Sequence, residues 1–159
     1  MKAAVLTISD GVSAGEREDV SGDTLEELLA ADGFEVIRRV VPDEREEIWA
    51  AIRDLAAEAR LVLTTGGTGV ALRDVTPEAT RGALDREVPG ISEAIRAESI
   101  AKTPHALLSR GVAGTIGSSL VVNLPGSPGG SRDGYAVIQK ALEHALRLLA
   151  GEATAHRQT

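Results

Sequence analysis

The chain of 159 residues has no cysteine, which excludes disulfides, thiolate metal sites and thiol nucleophiles. Aromatic residues make up only 2% of it, so the core falls to Leu, Ile, Val and Ala, and the scarcity argues against a stacking platform for single-stranded nucleic acid. Positive charge is also short: 17 Lys and Arg stand against 24 Asp and Glu. The net charge of −7 argues against a nucleic-acid or anionic-membrane partner. No apolar run approaches the roughly 20 residues of a membrane span. The opening MKAAVLTISDG reaches Ser9 and Asp10 too soon for a secretory leader, so the expected location is the cytoplasm. His105, His144 and His156 show no metal-ligand spacing; His105, near Lys102, keeps a minor anion-contact role open.

What is present is an alternation. Ala3 to Ile8 is an apolar, β-branched run that ends at Ser9-Asp10-Gly11, as a buried strand would. A polar stretch follows, in which Glu16, Glu18 and Asp19 read as a solvated loop. Leu25, Leu28 and Leu29 then share one helical face, and Gly33 is placed to end that helix. FEVIRRVV reads as a second strand closed by Pro42. Ile48, Ala51, Ile52 and Leu55 give the next helix its stripe. Leu61 to Thr65 is apolar without alternation, as a strand covered on both faces should be. PEATRGALD and ISEAIRAES follow as helices, then a strand pair turning at Gly117-Ser118, then a long helix with Ile138, Leu142, Ala145, Leu146 and Leu149 on one face. Alternating strands and helices predict one α/β domain over residues 1–151, with a mostly parallel sheet between helical layers, and a frayed tail over 152–159.

Ligands of open parallel sheets bind outside the carboxyl ends of the strands. Three unusual segments fall there: Ser9-Asp10, Gly66-Gly67-Thr68-Gly69 and Asn123 to Gly130. Glycines let the backbone take positive φ and approach a ligand closely, and successive N–H groups in such a turn form an anion site. The same glycines also suit a tight turn with no ligand. The loop matches neither a Walker A sequence nor G-x-G-x-x-G. Thr76-Pro77 forms a good N-cap and first-turn pair, which leaves Asp74 as a spare carboxylate beside an anion loop. Mg²⁺, which bridges carboxylates and phosphate oxygens, would reconcile the two. Asp43 with Glu46 fits a capping box, a role compatible with one in a site. Ser118 at the hairpin tip reads first as a turn residue.

LTTGGTGVALRDVTPEAT, VVPDE, LTISDGVSAGEREDVSG and GSSLVVNLPGSP together resemble the molybdopterin adenylyltransferase (MogA/MoaB) family of molybdenum-cofactor biosynthesis, from Ala3 to about Leu149. Only Val70-Ala71-Leu72 stand where variation is expected. The resemblance implies a three-layer α/β fold, a homotrimer, and transfer of AMP from Mg-ATP to the terminal phosphate of molybdopterin with release of pyrophosphate. A second enzyme then inserts molybdate. It implies that Asp43 and Asp74 serve the metal and catalysis, with Ser118 as a further catalytic residue. Ser9, Asp10, Gly66, Gly67, Thr68, Gly69, Arg73, Asn123, Pro125, Gly126 and Ser127 would contact the substrates. The alternatives are a molybdopterin-binding carrier of the same fold without chemistry, and a generic nucleotide-binding domain. Two carboxylates beside a phosphate loop favour the enzyme.

Overall fold

The computed structural model describes residues 1–152; the expected frayed tail, His156 included, lies from 153 onward outside the described residues. The chain runs β1 (Lys2–Ile8), α1 (Asp10–Ser13), α2 (Val20–Ala31), β2 (Glu35–Val41), α3 (Arg45–Glu58), β3 (Leu61–Thr65), α4 (Thr76–Ala83), β4 (Arg86–Glu87), α5 (Pro89–Ile100), a 3₁₀ turn (Pro104–Leu108), β5 (Ala113–Ile116), β6 (Ser119–Leu124) and α6 (Pro128–Leu149). The six strands form one sheet in the order β2-β1-β3-β6-β5-β4. Strands β2, β1, β3 and β6 are mutually parallel, and the antiparallel β6-β5-β4 pairings complete one edge.

The uninterrupted apolar runs of β1, β3 and β6 follow from this burial. Successive side chains point to opposite faces, and both faces are covered. Ala3, Val5, Leu61, Leu63, Val122 and Leu124 pack with Leu25 and Leu29 of α2, Ile95 of α5 and Ile138, Leu142 and Leu146 of α6. Ala4, Leu6, Val62 and Val121 pack on the other face with Ile48, Ile52 and Leu55 of α3 and Ala79 and Ala83 of α4. This is the expected three-layer arrangement. Among the described residues no helix is long and apolar enough to cross a membrane.

Some elements depart from expectation. The polar stretch after β1 contains the one-turn helix α1, and α2 starts at Val20, capped by Asp19, whose side chain accepts from the Gly22 N–H. Asp19 is therefore no solvated loop residue: it also accepts from Thr7 Oγ1 at 2.7 Å and Arg38 Nη2 at 2.5 Å. Helix α6 begins at Pro128, so the second glycine-rich segment is half helix, and Ser127 is its N-cap. The hairpin turns at Gly117-Ser118 as predicted. Because β6 runs parallel to β3, its tip lies at the amino-terminal end of the sheet, where Arg60 Nε donates to the Ser118 carbonyl at 2.9 Å.

Candidate active site

The chain leaves β1 toward β2 on one side and returns to β3 on the other, so the loops after β1 and β3 diverge and open a crevice at their carboxyl ends. A cleft of about 840 Å³ lies there, lined by Ser9 and Asp10 after β1, Asp43 after β2, Gly66, Gly67 and Asp74 after β3, and Gly126 after β6. Residues from four separate strand ends thus meet at one place, and Asp19 closes the side formed by α2.

The loop after β3 is shaped by two glycines with positive φ, Gly66 at +102° and Gly67 at +69°. A Cβ on Gly66 would overlap the Ile8 carbonyl oxygen, and one on Gly67 would overlap Thr76 Oγ1 and lie 3.1 Å from Asp43 Oδ1. The missing side chains thus serve close approach to β1 and to Asp43. Thr76 does not cap α4, whose N-cap position is Val75. Its hydroxyl instead donates to the Gly66 carbonyl at 2.9 Å and its N–H to the Gly67 carbonyl at 3.1 Å. Both loop carbonyls are drawn inward and satisfied. Gly126 meets the same loop from the β6 side, where a Cβ would stand 3.3 Å from the Gly66 Cα.

Asp43 is not the cap of α3 either; that position is Glu44, without a side-chain bond. Asp43 Oδ2 accepts from the Asp10 N–H at 2.9 Å, and Asp10 Oδ1 accepts from the Asp43 N–H at 3.0 Å. This reciprocal clasp joins the ends of β1 and β2 at the cleft. Burial pushes the Asp43 carboxyl above its usual range, and the charges of Asp10 and Asp74 add to that, outweighing the Asp10 N–H and the charge of Arg73. Asp10 goes the other way, lowered chiefly by its hydrogen bond from Arg73 and then by the Asp43 N–H. Arg73 reaches across the cleft to Asp10 Oδ2 (Nε, 2.6 Å), Asp10 Oδ1 (Nη2, 3.1 Å) and Glu44 Oε1 (Nη2, 2.9 Å). Asp74 Oδ2 accepts from the Ala71 N–H at 3.0 Å, and a Cβ on Gly69 would lie 2.9 Å from that oxygen.

Among the described residues no group of three or more His, Asp or Glu side chains is gathered closely enough to cage a metal. Mg²⁺ does not require one: it takes one or two carboxylates and fills its shell with phosphate oxygens and water. The all-oxygen pair Asp43 and Asp74, with Asp43 under repulsion from its neighbours, fits such an ion.

The structure does not bring every expected residue to the cleft. Asn123 is 4% exposed, and its side chain is fully engaged. Oδ1 accepts from the Val112 N–H at 3.1 Å, while Nδ2 donates to Thr64 Oγ1 at 2.9 Å and Thr80 Oγ1 at 3.0 Å. Asn123 therefore ties β5, β6, β3 and α4 together and has nothing to offer a ligand. Ser118 lies at the opposite end of the sheet. Ser9 Oγ caps α1 at the cleft wall, accepting from the Val12 N–H at 3.2 Å. The Pro125 carbonyl accepts from the Ser131 hydroxyl at 2.8 Å. Thr68 is buried and, with Gly69 and Ser127, lines a second recess of about 250 Å³ that is separate from the cleft and mostly apolar, with Arg96, Ser99 and His105 among its polar residues. Sequence reasoning missed Arg110, which binds the glycine loop from behind. Its only sequence signal is a lone cation in a short polar stretch between two apolar elements.

The family model described as "Probable molybdopterin binding domain" matches residues 4–144. The chain is 39% identical over 152 residues to a molybdopterin adenylyltransferase of Helicobacter pylori (strain J99), covering 92% of this chain and 86% of that protein. It is 42% identical over 159 residues to the molybdenum cofactor synthesis protein cinnamon of Drosophila melanogaster, covering 98% of this chain but only 26% of that longer protein. Among solved structures, the molybdopterin biosynthesis enzyme MoaB from Thermus thermophilus superposes with a TM-score of 0.88 at 47% identity, covering 95% of this chain and 97% of the other. A glycine turn at a parallel-sheet switch point, two carboxylates lining the same cleft, and this similarity along nearly the whole chain lead to one assignment: the protein belongs to the molybdopterin-binding domain family of molybdenum-cofactor biosynthesis.

Proposed function

We propose that the protein is a molybdopterin adenylyltransferase: it joins AMP from Mg-ATP to the terminal phosphate of molybdopterin and releases pyrophosphate. The observation that carries this reading is the placement of Asp43 and Asp74 in the same cleft as the Gly66-Gly67 turn. A domain that only holds a pterin has no use for an acidic pair beside an anion cradle. The second recess also supports it, since a two-substrate reaction needs two spaces and the loop residues Gly66-Gly67 and Thr68-Gly69 each line one.

In this reading the terminal phosphate of molybdopterin is the nucleophile. One of its oxygens bonds to the α-phosphorus of ATP, the bond from that phosphorus to the β-bridging oxygen breaks, and pyrophosphate leaves with the electron pair. The nucleophile is already ionised, so no residue serves as general base. What the chain supplies is position and charge complementarity. Backbone N–H groups of the glycine loop bind phosphate oxygens, and Arg73, exposed at the rim, would exchange its pairs with Asp10 and Glu44 for the polyphosphate. Asp43 and Asp74 would hold Mg²⁺, which when bound neutralises the gathering phosphate charge. Asp10 keeps Asp43 in place through their paired backbone contacts. Ser9 and Gly126 line the cleft and Ser127 the second recess; Ser118 and Asn123 are left out of the set.

The same reading places the enzyme in the cytoplasm, upstream of a molybdate-inserting partner, and as a homotrimer. An apolar groove of about 340 Å³ between α5 and α6, lined by Val88, Ile91, Ala94, Val137, Ile138 and Ala141, supports self-association. The deciding experiment incubates the purified protein with molybdopterin and Mg-ATP and measures pyrophosphate release and the AMP adduct by mass spectrometry. Molybdopterin binding without adduct would replace the enzyme with the carrier reading.

A further inference from the structure

Arg110 stands between the 3₁₀ turn and β5, and its bonds converge on one segment. Its main-chain N–H donates to the Thr68 carbonyl at 2.8 Å, Nε to the Gly69 carbonyl at 2.7 Å and Nη2 to the Asp74 carbonyl at 2.7 Å. Nη1 pairs with Glu78 Oε1 in the first turn of α4. One planar guanidinium thus holds the carbonyls at both ends of the Gly69–Asp74 loop and anchors them to the following helix. The tip of that loop has little packing of its own, with Val70 64% and Leu72 100% exposed, so its shape is set from the base. Asp74, whose carbonyl Arg110 holds, is the residue whose carboxylate lines the cleft. Gly66 and Gly67 are held separately, by Thr76.

We infer that Arg110 is a positioning residue for AMP transfer: it sets the register of the Gly69–Asp74 loop, and through it the place of the Asp74 carboxylate, without touching either substrate. The inference rests on the adenylyltransferase reading. It requires arginine specifically. The fork offers three coplanar donor positions to two carbonyls and a carboxylate, whereas a lysine ammonium keeps the charge but is a point donor that cannot bracket both carbonyls. The Gly66-Gly67 turn survives the loss of the Arg110 side chain, because Thr76 pins both of its carbonyls.

The test compares Arg110→Lys, Arg110→Ala and Glu78→Gln with the wild type in steady-state AMP transfer, and titrates Mn²⁺ in the presence of ATP by electron paramagnetic resonance. Arg110→Lys should lose about 10²-fold in kcat, the scale of a 1 Å misplacement, with KM for ATP within about twofold, the pattern of a group acting in the transition state. It should also bind Mn²⁺ more weakly. Arg110→Ala should recover part of its rate with millimolar guanidinium ion, and Glu78→Gln, which keeps both carbonyl bonds, should stay near the wild-type kcat. Wild-type kcat and Mn²⁺ affinity in Arg110→Lys, or a loss confined to KM with no rescue of Arg110→Ala, overturns the inference while leaving the function standing. A wild type that forms no adduct removes both.

Discussion

Replacing Asn123 by leucine tests whether this residue belongs to the framework or to the substrates. The two side chains are close in size, so the change removes polar atoms with little change of volume. The Val112 N–H loses its acceptor at 3.1 Å inside the sheet edge, and the Thr64 and Thr80 hydroxyls each lose a donor, at 2.9 and 3.0 Å. Thr80 keeps its own bond to the Thr76 carbonyl at 2.7 Å, which limits the damage. A buried N–H without a partner costs about 1–3 kcal/mol and each neutral hydrogen bond roughly 0.5–1.5 kcal/mol, partly offset by the apolar contact that leucine adds. The expected net loss is about 2–4 kcal/mol. At roughly 2–4 °C per kcal/mol for a domain of this size, Tm should fall by about 4–16 °C. Circular dichroism melting measures that, and AMP transfer is assayed at about 15 °C, near the temperature of maximum stability for an ordinary domain. KM for both substrates should then be unchanged. A Tm close to the wild type together with a raised KM would refute the reasoning and return Asn123 to the binding site.

Asp74→Asn and Asp43→Asn should each abolish most AMP transfer while leaving a folded protein, and full activity in either would remove it from the metal pair. Asp43→Asn should also melt no lower than the wild type at pH 7, because the amide can still accept from the Asp10 N–H and no longer carries a charge disfavoured by burial. The sign over pH follows from the same shift. As pH rises above the ordinary value of 3.8, the unfolded chain ionises Asp43 first, so this group's contribution to stability falls until the folded carboxyl ionises too, and the deficit persists at pH 7. Denaturant titrations of wild type and Asp43→Asn across that window should show the difference widening with pH; a difference independent of pH contradicts the assignment. Gly66→Ala should lose at least about 1–3 kcal/mol from positive φ alone, with more from the clash on Ile8, and an unchanged melting curve would show that the loop relaxes at little cost. Sedimentation should give a species of about three times the 16.5 kDa chain mass, and a monomer at micromolar concentration removes the trimer alone.

The central strands were legible because β1, β3 and β6 are buried on both faces and appear as largely apolar runs, while α3 and α6 show their stripes; the two-residue, exposed β4 (Arg86–Glu87) has no such signal and was not predicted. The location of the cleft followed from the strand ends. What could not be seen was partner choice across the sheet. Asp43-Glu44-Arg45-Glu46 has the spacing of a capping box, but the Asp10 N–H, 33 residues away, takes the carboxylate first. Thr76 has the residue type of a cap, yet the inward-turned Gly66 carbonyl claims its hydroxyl. Asn123 stands three residues before Gly126, which does border the cleft, but strand alternation turns its side chain into the layer between sheet and α4. The place of Ser118 follows once β6 is known to run parallel to β3, and only the register supplies that. Arg110 was invisible because three of its partners are main-chain carbonyls, which every sequence has, and the fourth, Glu78, lies 32 residues away.

Beneath the cleft, Thr65 Oγ1 lies 3.1 Å from Ser21 Oγ, 3.2 Å from Ser131 Oγ and 2.8 Å from the Pro125 carbonyl, all within the protein interior. Three hydroxyls and a carbonyl thereby stitch the end of β3 to the first turns of α2 and α6. The bonds converge on Thr65, so moving α2 or α6 breaks its tie to β3 and moving β3 breaks both, and that wall of the cleft behaves as a single stiff body. On the opposite side, the exposed rim from Val70 to Arg73 is fastened by the local turn bonds between Ala71 and Asp74, by its base, and by ion pairs that water can replace. Closure over bound substrates is then work for the rim alone, and amide exchange should slow at residues 70–73 on ATP binding while residues 19–22 and 127–131 keep the protection they already have.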